Sequence, residues 1–395
     1  MSQQTANVQP SAGSYSLAER DRRWAEVRRR AAEAGLDGVL VPLGNGTDGR
    51  YLTQFRSAGM LLPTDGRSPI VLIDSFADRD MRNDWIPEPR LANRAWDDAM
   101  TRALLDAGME RGRIGVVGLK GGTVTHARQP DGLVVHRVYA EIVRRLPNAT
   151  FTDATDVVGF ARYVKSAEEI AFLRQAAAIA EAGIDAMGEE ARVGLDAGAL
   201  YARVTARMLA LGSERYPLAL SLGPIGGRAT RHTEAPLGTV LEAGTLITNE
   251  VTAIVEGQEA QEDQPMLLGP IPDAWRPVVD LQREVFAAGL ERMRPGTPLG
   301  EFIDFVNGFG ARRGGKTLIL MHGRGYGDDG PLLSPRVRGE RVRSLRLEAG
   351  TAWVWKPYAM SADERIQFVW GGDVVVTEQG GQVLFQRPHG LISIT

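Results

Sequence analysis

Residues 164–170 read Val164-Lys165-Ser166-Ala167-Glu168-Glu169-Ile170, and this heptapeptide marks where one folding unit gives way to another. Ser166 followed three residues later by Glu169 is a capping box, in which each side chain satisfies a backbone N–H that the first helical turn leaves orphaned. Ile170, Leu173, Ala177, Ala180, Ile184 and Met187 then recur at helical spacing, so a long helix with one buried face starts here. A second helix is expected over 195–211. Beyond Gly223 the pattern changes to extended segments at 245–254, 258–268, 317–321, 351–356 and 374–376. One long helix over 275–293 interrupts them, with Val278, Leu281, Val285 and Ala288 on a common face and a stop at Arg294-Pro295-Gly296. Helices first, then mostly antiparallel strands around an inserted helix, is an α+β pattern.

Upstream of the heptapeptide the pattern differs. Residues 1–15 are polar and are expected to be a disordered tail. Ser16 and Glu19 suggest another capping box, Trp24, Val27, Ala31 and Ala34 follow at helical spacing, and Gly35 ends the helix. Short buried strands are expected at 36–42, 70–73 and 114–117, with a helix over 96–107 between the last two. Strands alternating with helices predict a smaller α/β domain over 16–160, ahead of the α+β domain over 161–395.

Composition narrows the function. The 395 residues carry 46 basic and 49 acidic side chains, a net charge of −3, so no global field favours nucleic acid or an anionic membrane. All but four of the basic residues are arginines, which makes Lys120, Lys165, Lys316 and Lys356 conspicuous. The absence of cysteine removes disulfides, thiolate metal sites and a cysteine nucleophile. No stretch approaches the roughly 18 apolar residues of a membrane span, and the N-terminus has no signal-peptide core. A soluble cytoplasmic protein is the expectation.

Several ordered strings resemble the creatinase/aminopeptidase P family. They are Gly38-Val39-Leu40-Val41 with Arg50-Tyr51-Leu52-Thr53-Gln54-Phe55, the heptapeptide itself, Leu241-Glu242-Ala243-Gly244, Arg294-Pro295-Gly296, His322-Gly323-Arg324-Gly325, Leu347-Glu348-Ala349-Gly350 and Val375-Val376-Thr377-Glu378. The resemblance implies a catalytic domain of the pita-bread fold. Metallopeptidase members hold two divalent ions with two Asp, one His and two Glu. In this chain those positions fall on Glu250, Gln261, His322, Lys356 and Gly371, or Gln367 if Arg365-Ile366-Gln367 marks the last motif. One carboxylate, one imidazole and one ammonium cannot neutralise two dications, so a dinuclear metallopeptidase is not expected and no cofactor is assigned, with an Xaa-Pro type metallopeptidase or a single ion held by His322, Glu250 and one more ligand left as alternatives.

The resemblance is nearer to the metal-free creatinase branch, in which a histidine ahead of the first strand carries the proton. Thr230-Arg231-His232-Thr233 occupies that region, so His232 is the expected proton carrier. A creatinase glutamate on the second strand lines up with Asp263. The other guanidine-binding glutamate becomes Lys356, and an ammonium cannot receive a guanidinium, so creatine itself is a poor fit. Strand alternation puts Glu259, Gln261 and Asp263 on one face, with Ala352, Val354 and Lys356 likewise together. Trp353 and Trp355 would then lie under the helices. Glu250, Asp263, His322 and Lys356 can thus converge, with Lys356 and Arg324 supplying the positive charge of a metal.

The expected reaction is metal-independent hydrolysis of a C–N bond in a small carboxylated molecule. A lyase or isomerase on the same pocket, and a catalytically inactive binding module, remain open alternatives. So do a purely structural Lys356–Glu250 ion pair and a turn-capping Asp263. His126, His136 and His389 read as structural or surface residues, and Asp328-Asp329-Gly330-Pro331 as a turn. The expected partner is a second copy of the chain, because family dimers place the first domain over the neighbour's pocket. There Phe55 and Arg56 would contact substrate.

Overall fold

The computed structural model describes residues 14–75, 84–128, 132–215, 218–224, 229–335 and 339–395. Most of the expected 1–15 tail therefore lies outside the described residues. The chain divides into two compact units, one spanning residues 13–164 together with Tyr326–Pro331 and the other containing Lys165–Gly325 and Leu332–Thr395. No helix among the described residues is long and apolar enough to cross a membrane.

The first unit is built on a six-stranded mixed sheet. Its order is Arg90–Leu91, Ile70–Ile73, Ala58–Pro63, Gly38–Val41, Arg113–Val116, Thr150–Asp153. Gly38–Val41 is central: it runs antiparallel to Ala58–Pro63 and parallel to Arg113–Val116. All four of its residues are buried, as a strand covered on both faces requires. The helix Leu17–Glu33 starts at Ser16, whose hydroxyl accepts the Glu19 N–H at 3.1 Å. The Glu19 carboxylate, the expected other half of the box, is engaged by Arg22 and Arg23 at 2.8 and 2.6 Å. Arg23 in turn lies within about cation–π range of four rings, 4.2 Å from Tyr15, 4.5 Å from Tyr51, 5.2 Å from Trp85 and 5.4 Å from Tyr326.

In the second unit the helix Ala167–Glu190 carries the complete capping box of Ser166 and Glu169. It packs on the strands Thr245–Val255 and Gln258–Asp263, which lie at the centre of an eleven-stranded sheet. Outward from Gln258–Asp263 come Gly371–Thr377, Ala352–Trp355 and Met321–Gly323; on the other side Thr245–Val255 pairs with Leu218–Pro224 and Met266–Leu268. A small sheet of Gly315–Leu318, Tyr358–Ser361 and Gln367–Val369 stands apart. The helix Arg276–Arg292, preceded by a 3-10 turn at Asp273–Trp275, covers the tryptophan face. Trp355 stacks on Phe286 with centroids 6.2 Å apart and donates its indole N–H to the Phe286 carbonyl. Gly289 makes room for that ring, since a Cβ there would lie 2.4 Å from the Trp355 ring.

Two expected strands are broken in the structure. The segment 258–268 splits at Gln264-Pro265, where proline has no N–H for the ladder. The segment 317–321 splits into Gly315–Leu318 and Met321–Gly323, which belong to different sheets. Between them the Ile319 N–H donates to the Asn307 side chain and the Leu320 carbonyl accepts from Lys356 N–H. Alternation from Leu318 to Met321 looks continuous in sequence, but these two bonds turn the chain from one ladder to the other.

Candidate functional site

Residues directly paired in an antiparallel ladder share a face of the sheet. Glu250 faces Ala219, Gln261 pairs with Thr252, and Asp263 pairs with Gly371. His322 pairs with Val354, and Val354 with Asp373. By alternation Glu250, Thr252, Gln261, Asp263, His322, Lys356 and Asp373 all project from one face, and Trp353, Trp355 and Glu262 from the other.

At the centre of the charged face stands Lys356, 3 % exposed. Its Nζ is 3.0 Å from Glu250 Oε1 and 2.8 Å from Asp263 Oδ2. Burial opposes its charge, but the two carboxylates hold its pKa above the ordinary lysine value. Burial likewise opposes the Glu250 charge, and Lys356 with Arg231 overcomes it, leaving a pKa of about 2. Arg231 Nη2 donates to Glu250 Oε2 at 2.6 Å. Burial pushes Asp263 up, against the pull of Lys356 and of the Gln261 amide, which donates at 3.1 Å. Arg324 donates to Gln261 Oε1 at 2.9 Å, and lies 3.4 Å from Glu259 and 3.3 Å from the Thr252 hydroxyl. His322 is buried, with Nδ1 3.3 Å from the Gly323 carbonyl.

Asp373 was not singled out by its sequence context. It is fully buried, and its Oδ2 accepts the Gln261 backbone N–H at 2.5 Å, spanning the place where the two strands stop pairing. Burial pushes its pKa up to about 7, with Arg324 only partly opposing. An acid with a raised folded pKa binds more protons folded than unfolded between pH of about 4 and about 7, so stability falls as pH rises through that window and levels off above it. Asp373→Asn, which keeps an acceptor for Gln261, should remove a pH-dependent loss of at most about 4 kcal/mol. Urea melts at pH 5 and pH 8 check this: the gap between the two midpoints should narrow in the variant.

Two placements correct the sequence expectations. His232 pairs with Leu220, and Leu220 with Asn249, so its side chain leaves the sheet on the helix side, away from Glu250. Arg231, its neighbour, takes the charged face instead; counting alternation through Thr230–His232 was the available signal. Phe55 is completely buried in the first unit, a core residue rather than a substrate contact, while Arg56 is exposed in that same unit. Glu250, Gln261, Asp263, His322, Arg324 and Lys356 are brought together.

The donor set does not fit a dinuclear metal centre. Lys356 puts an ammonium between the two carboxylates, and Gln261 offers only an amide oxygen, already engaged by Arg324. At Gly371 a side chain is excluded, since a Cβ would lie 1.9 Å from the Trp355 carbonyl oxygen. Among the described residues no cluster of three or more His, Cys, Asp or Glu side chains is arranged to hold a metal ion.

The model of metallopeptidase family M24 matches residues 171–378, and that of the creatinase/prolidase N-terminal domain matches residues 23–164. Among solved structures, the X-Pro aminopeptidase of Thermotoga maritima MSB8 superposes with a TM-score of 0.75 at 19 % identity, over 94 % of this chain and 99 % of that one. The dipeptidase PepE of Mycobacterium ulcerans gives 0.74 at 19 % identity, over 97 % and 100 %. The Xaa-Pro dipeptidase of Bacillus anthracis gives 0.73 at 18 %, over 95 % and 99 %. Among curated proteins, the uncharacterized hydrolase/peptidase y4tM of Sinorhizobium fredii is 25 % identical over 164 residues, 40 % of this chain and 42 % of that relative's length. With a pita-bread catalytic unit behind a creatinase-type N-terminal domain, the chain belongs to metallopeptidase family M24, a family of hydrolases.

Proposed function

We propose that this chain is a metal-independent hydrolase that cleaves a C–N bond in a small carboxylated molecule. The observation that supports the reading is Lys356 Nζ held 3.0 and 2.8 Å from Glu250 and Asp263, an ammonium at the position where the family resemblance implies a glutamate. Its fixed charge can stabilise an oxyanion that develops on the oxygen bonded to the attacked carbon, in a site from which water is largely excluded. Arg324, braced by Gln261, adds a second buried cation. A water oxygen attacks the carbon, its proton passes to an imidazole, and the same proton is returned to the nitrogen as the C–N bond breaks. With His232 on the far face, His322 is the proton carrier in this reading. The reading keeps the cytoplasmic homodimer, without nucleic-acid or membrane partners, that the sequence suggested.

Metal analysis of the purified chain should find no stoichiometric ion. Turnover of small acylamino, ureido and amidino carboxylates should survive chelator and place solvent ¹⁸O in one product. His322→Ala should lower kcat by about 100-fold or more, with His232→Ala changing it less than about threefold. Stoichiometric metal lost together with activity sinks the reading; turnover without ¹⁸O favours a lyase. The engagement of both Lys356 and Arg324 with side chains of the protein itself favours one other reading, an inactive binding module. Ligand binding without any turnover would establish it.

A further inference from the structure

We infer that the molecule bound here is a carboxylate bearing an aromatic or branched apolar group, its carboxylate on Arg231 and its apolar group in a cavity beside Glu250. The inference names the substrate class of the reaction proposed above and rests on that reading for the fate of the C–N bond. The cavity, about 310 Å³, has apolar walls in Leu246, Trp275, Ile366, Phe368 and Val369 and a polar side at Thr248, Arg365 and Gln367, with the Thr248 side of the central strand as its floor. Trp275 and Phe368 meet edge to face at 5.2 Å, which fixes both rings as a corner. The volume lies at the small end of ligand pockets, enough for one ring or branched side chain.

Register connects this cavity to the charged cluster. Thr248 and Glu250 lie two residues apart on one strand and so project from the same face. Thr248 pairs with Ser221, and Ser221 with Arg231, so Thr248, Ser221 and Arg231 form one row across three strands. Arg231 uses Nη2 on Glu250, while its side chain is 53 % exposed. A guanidinium has five N–H donors in a planar fork, so it can hold Glu250 and a second carboxylate together. A ligand anchored there reaches the cavity with its apolar group and Lys356 with the atoms between. Arg365 also borders the cavity, but its side chain is 86 % exposed and already lies 3.6 Å from Asp363. A solvated cation of that kind adds little affinity.

Calorimetric titration of the full chain with 3-phenylpropionate and with propionate tests this. The aromatic acid should bind at least about tenfold more tightly, the effect of burying one ring. Leu246→Trp, which fills the cavity, should erase that preference, and Trp275→Ala should reduce it. Arg231→Gln should weaken both acids by a similar factor, and Arg365→Gln neither. Equal affinities, no binding of either acid at millimolar concentration, or a preference that survives Leu246→Trp would overturn the cavity assignment. Weakening by Arg365→Gln but not Arg231→Gln would overturn the anchor. A chain that binds in this way but cleaves nothing keeps this inference and loses the hydrolase. One that hydrolyses C–N bonds with no preference for a ring loses this inference alone.

Discussion

Lys356→Met should destabilise the catalytic unit by about 3–5 kcal/mol at pH 8, the usual cost of removing one partner from a buried ion pair. Asp263 bears most of this cost. It is 3 % exposed and would keep only the Gln261 amide at 3.1 Å, whereas Glu250 retains Arg231 at 2.6 Å and is better solvated. Without the ammonium, burial drives the Asp263 pKa further up, so the carboxyl folds at little cost when protonated and at high cost when ionised. The loss should therefore shrink as pH falls from 8 to about 4.5. Lys356→Met combined with Asp263→Asn should recover most of the stability, with a coupling energy of at least about 2 kcal/mol in the double-mutant cycle. Equilibrium urea denaturation of the four proteins at both pH values measures it. Independent, additive effects would mean that Lys356 and Asp263 do not act as a pair.

A comparable loss is expected from Arg162→Met in the first unit. Arg162 is 1 % exposed and serves two carboxylates, Asp48 at 2.5 Å and Asp329. Asp48 also accepts from the Asn45 amide and meets His126 Nε2, both at 2.8 Å. Asp329 accepts the Tyr326 N–H at 2.9 Å. Burial opposes the Asp48 charge, but Arg162 and His126 hold its pKa well below the ordinary aspartate value. Its contribution is therefore present above about pH 4 and fades as pH falls through the depressed value. Removing one cation strands two buried anions, so the loss should reach about 4 kcal/mol or more. Arg162→Lys should recover only part, because an ammonium cannot reproduce a fork that reaches two acids. Adding Asp48→Asn and Asp329→Asn to Arg162→Met should restore much of the stability. Hydrogen exchange at the Tyr326 amide follows the effect locally, and unchanged protection in Arg162→Met would contradict it.

Asp328-Asp329-Gly330-Pro331 has the composition of a turn, yet Asp329 is a buried ion partner of a residue 167 positions away. Nothing local reveals such a partner. By contrast, the capping box at Ser166 and Glu169 was legible because its parts lie three residues apart and satisfy each other. The tryptophan face of Ala352–Trp355 was legible for a similar reason, since alternation is a property of the strand alone. The expectation for His232 rested on a family resemblance, which carries no strand register, and Asp373 was missed because an isolated acid in an apolar strand looks the same whether it braces a neighbour or faces water.

The amino-acid order alone carried the fold class, α/β elements followed by an α+β pattern, since periodicity and caps are local quantities. The tertiary structure alone decided that the Lys356 ammonium is enclosed by Glu250 and Asp263, that Arg231 and not His232 shares their face, and that no side chain fits at Gly371. Those outcomes depend on ladder register and on contacts between strands far apart in the chain. A one-residue slip in pairing exchanges the two faces of a strand, and no local pattern records it.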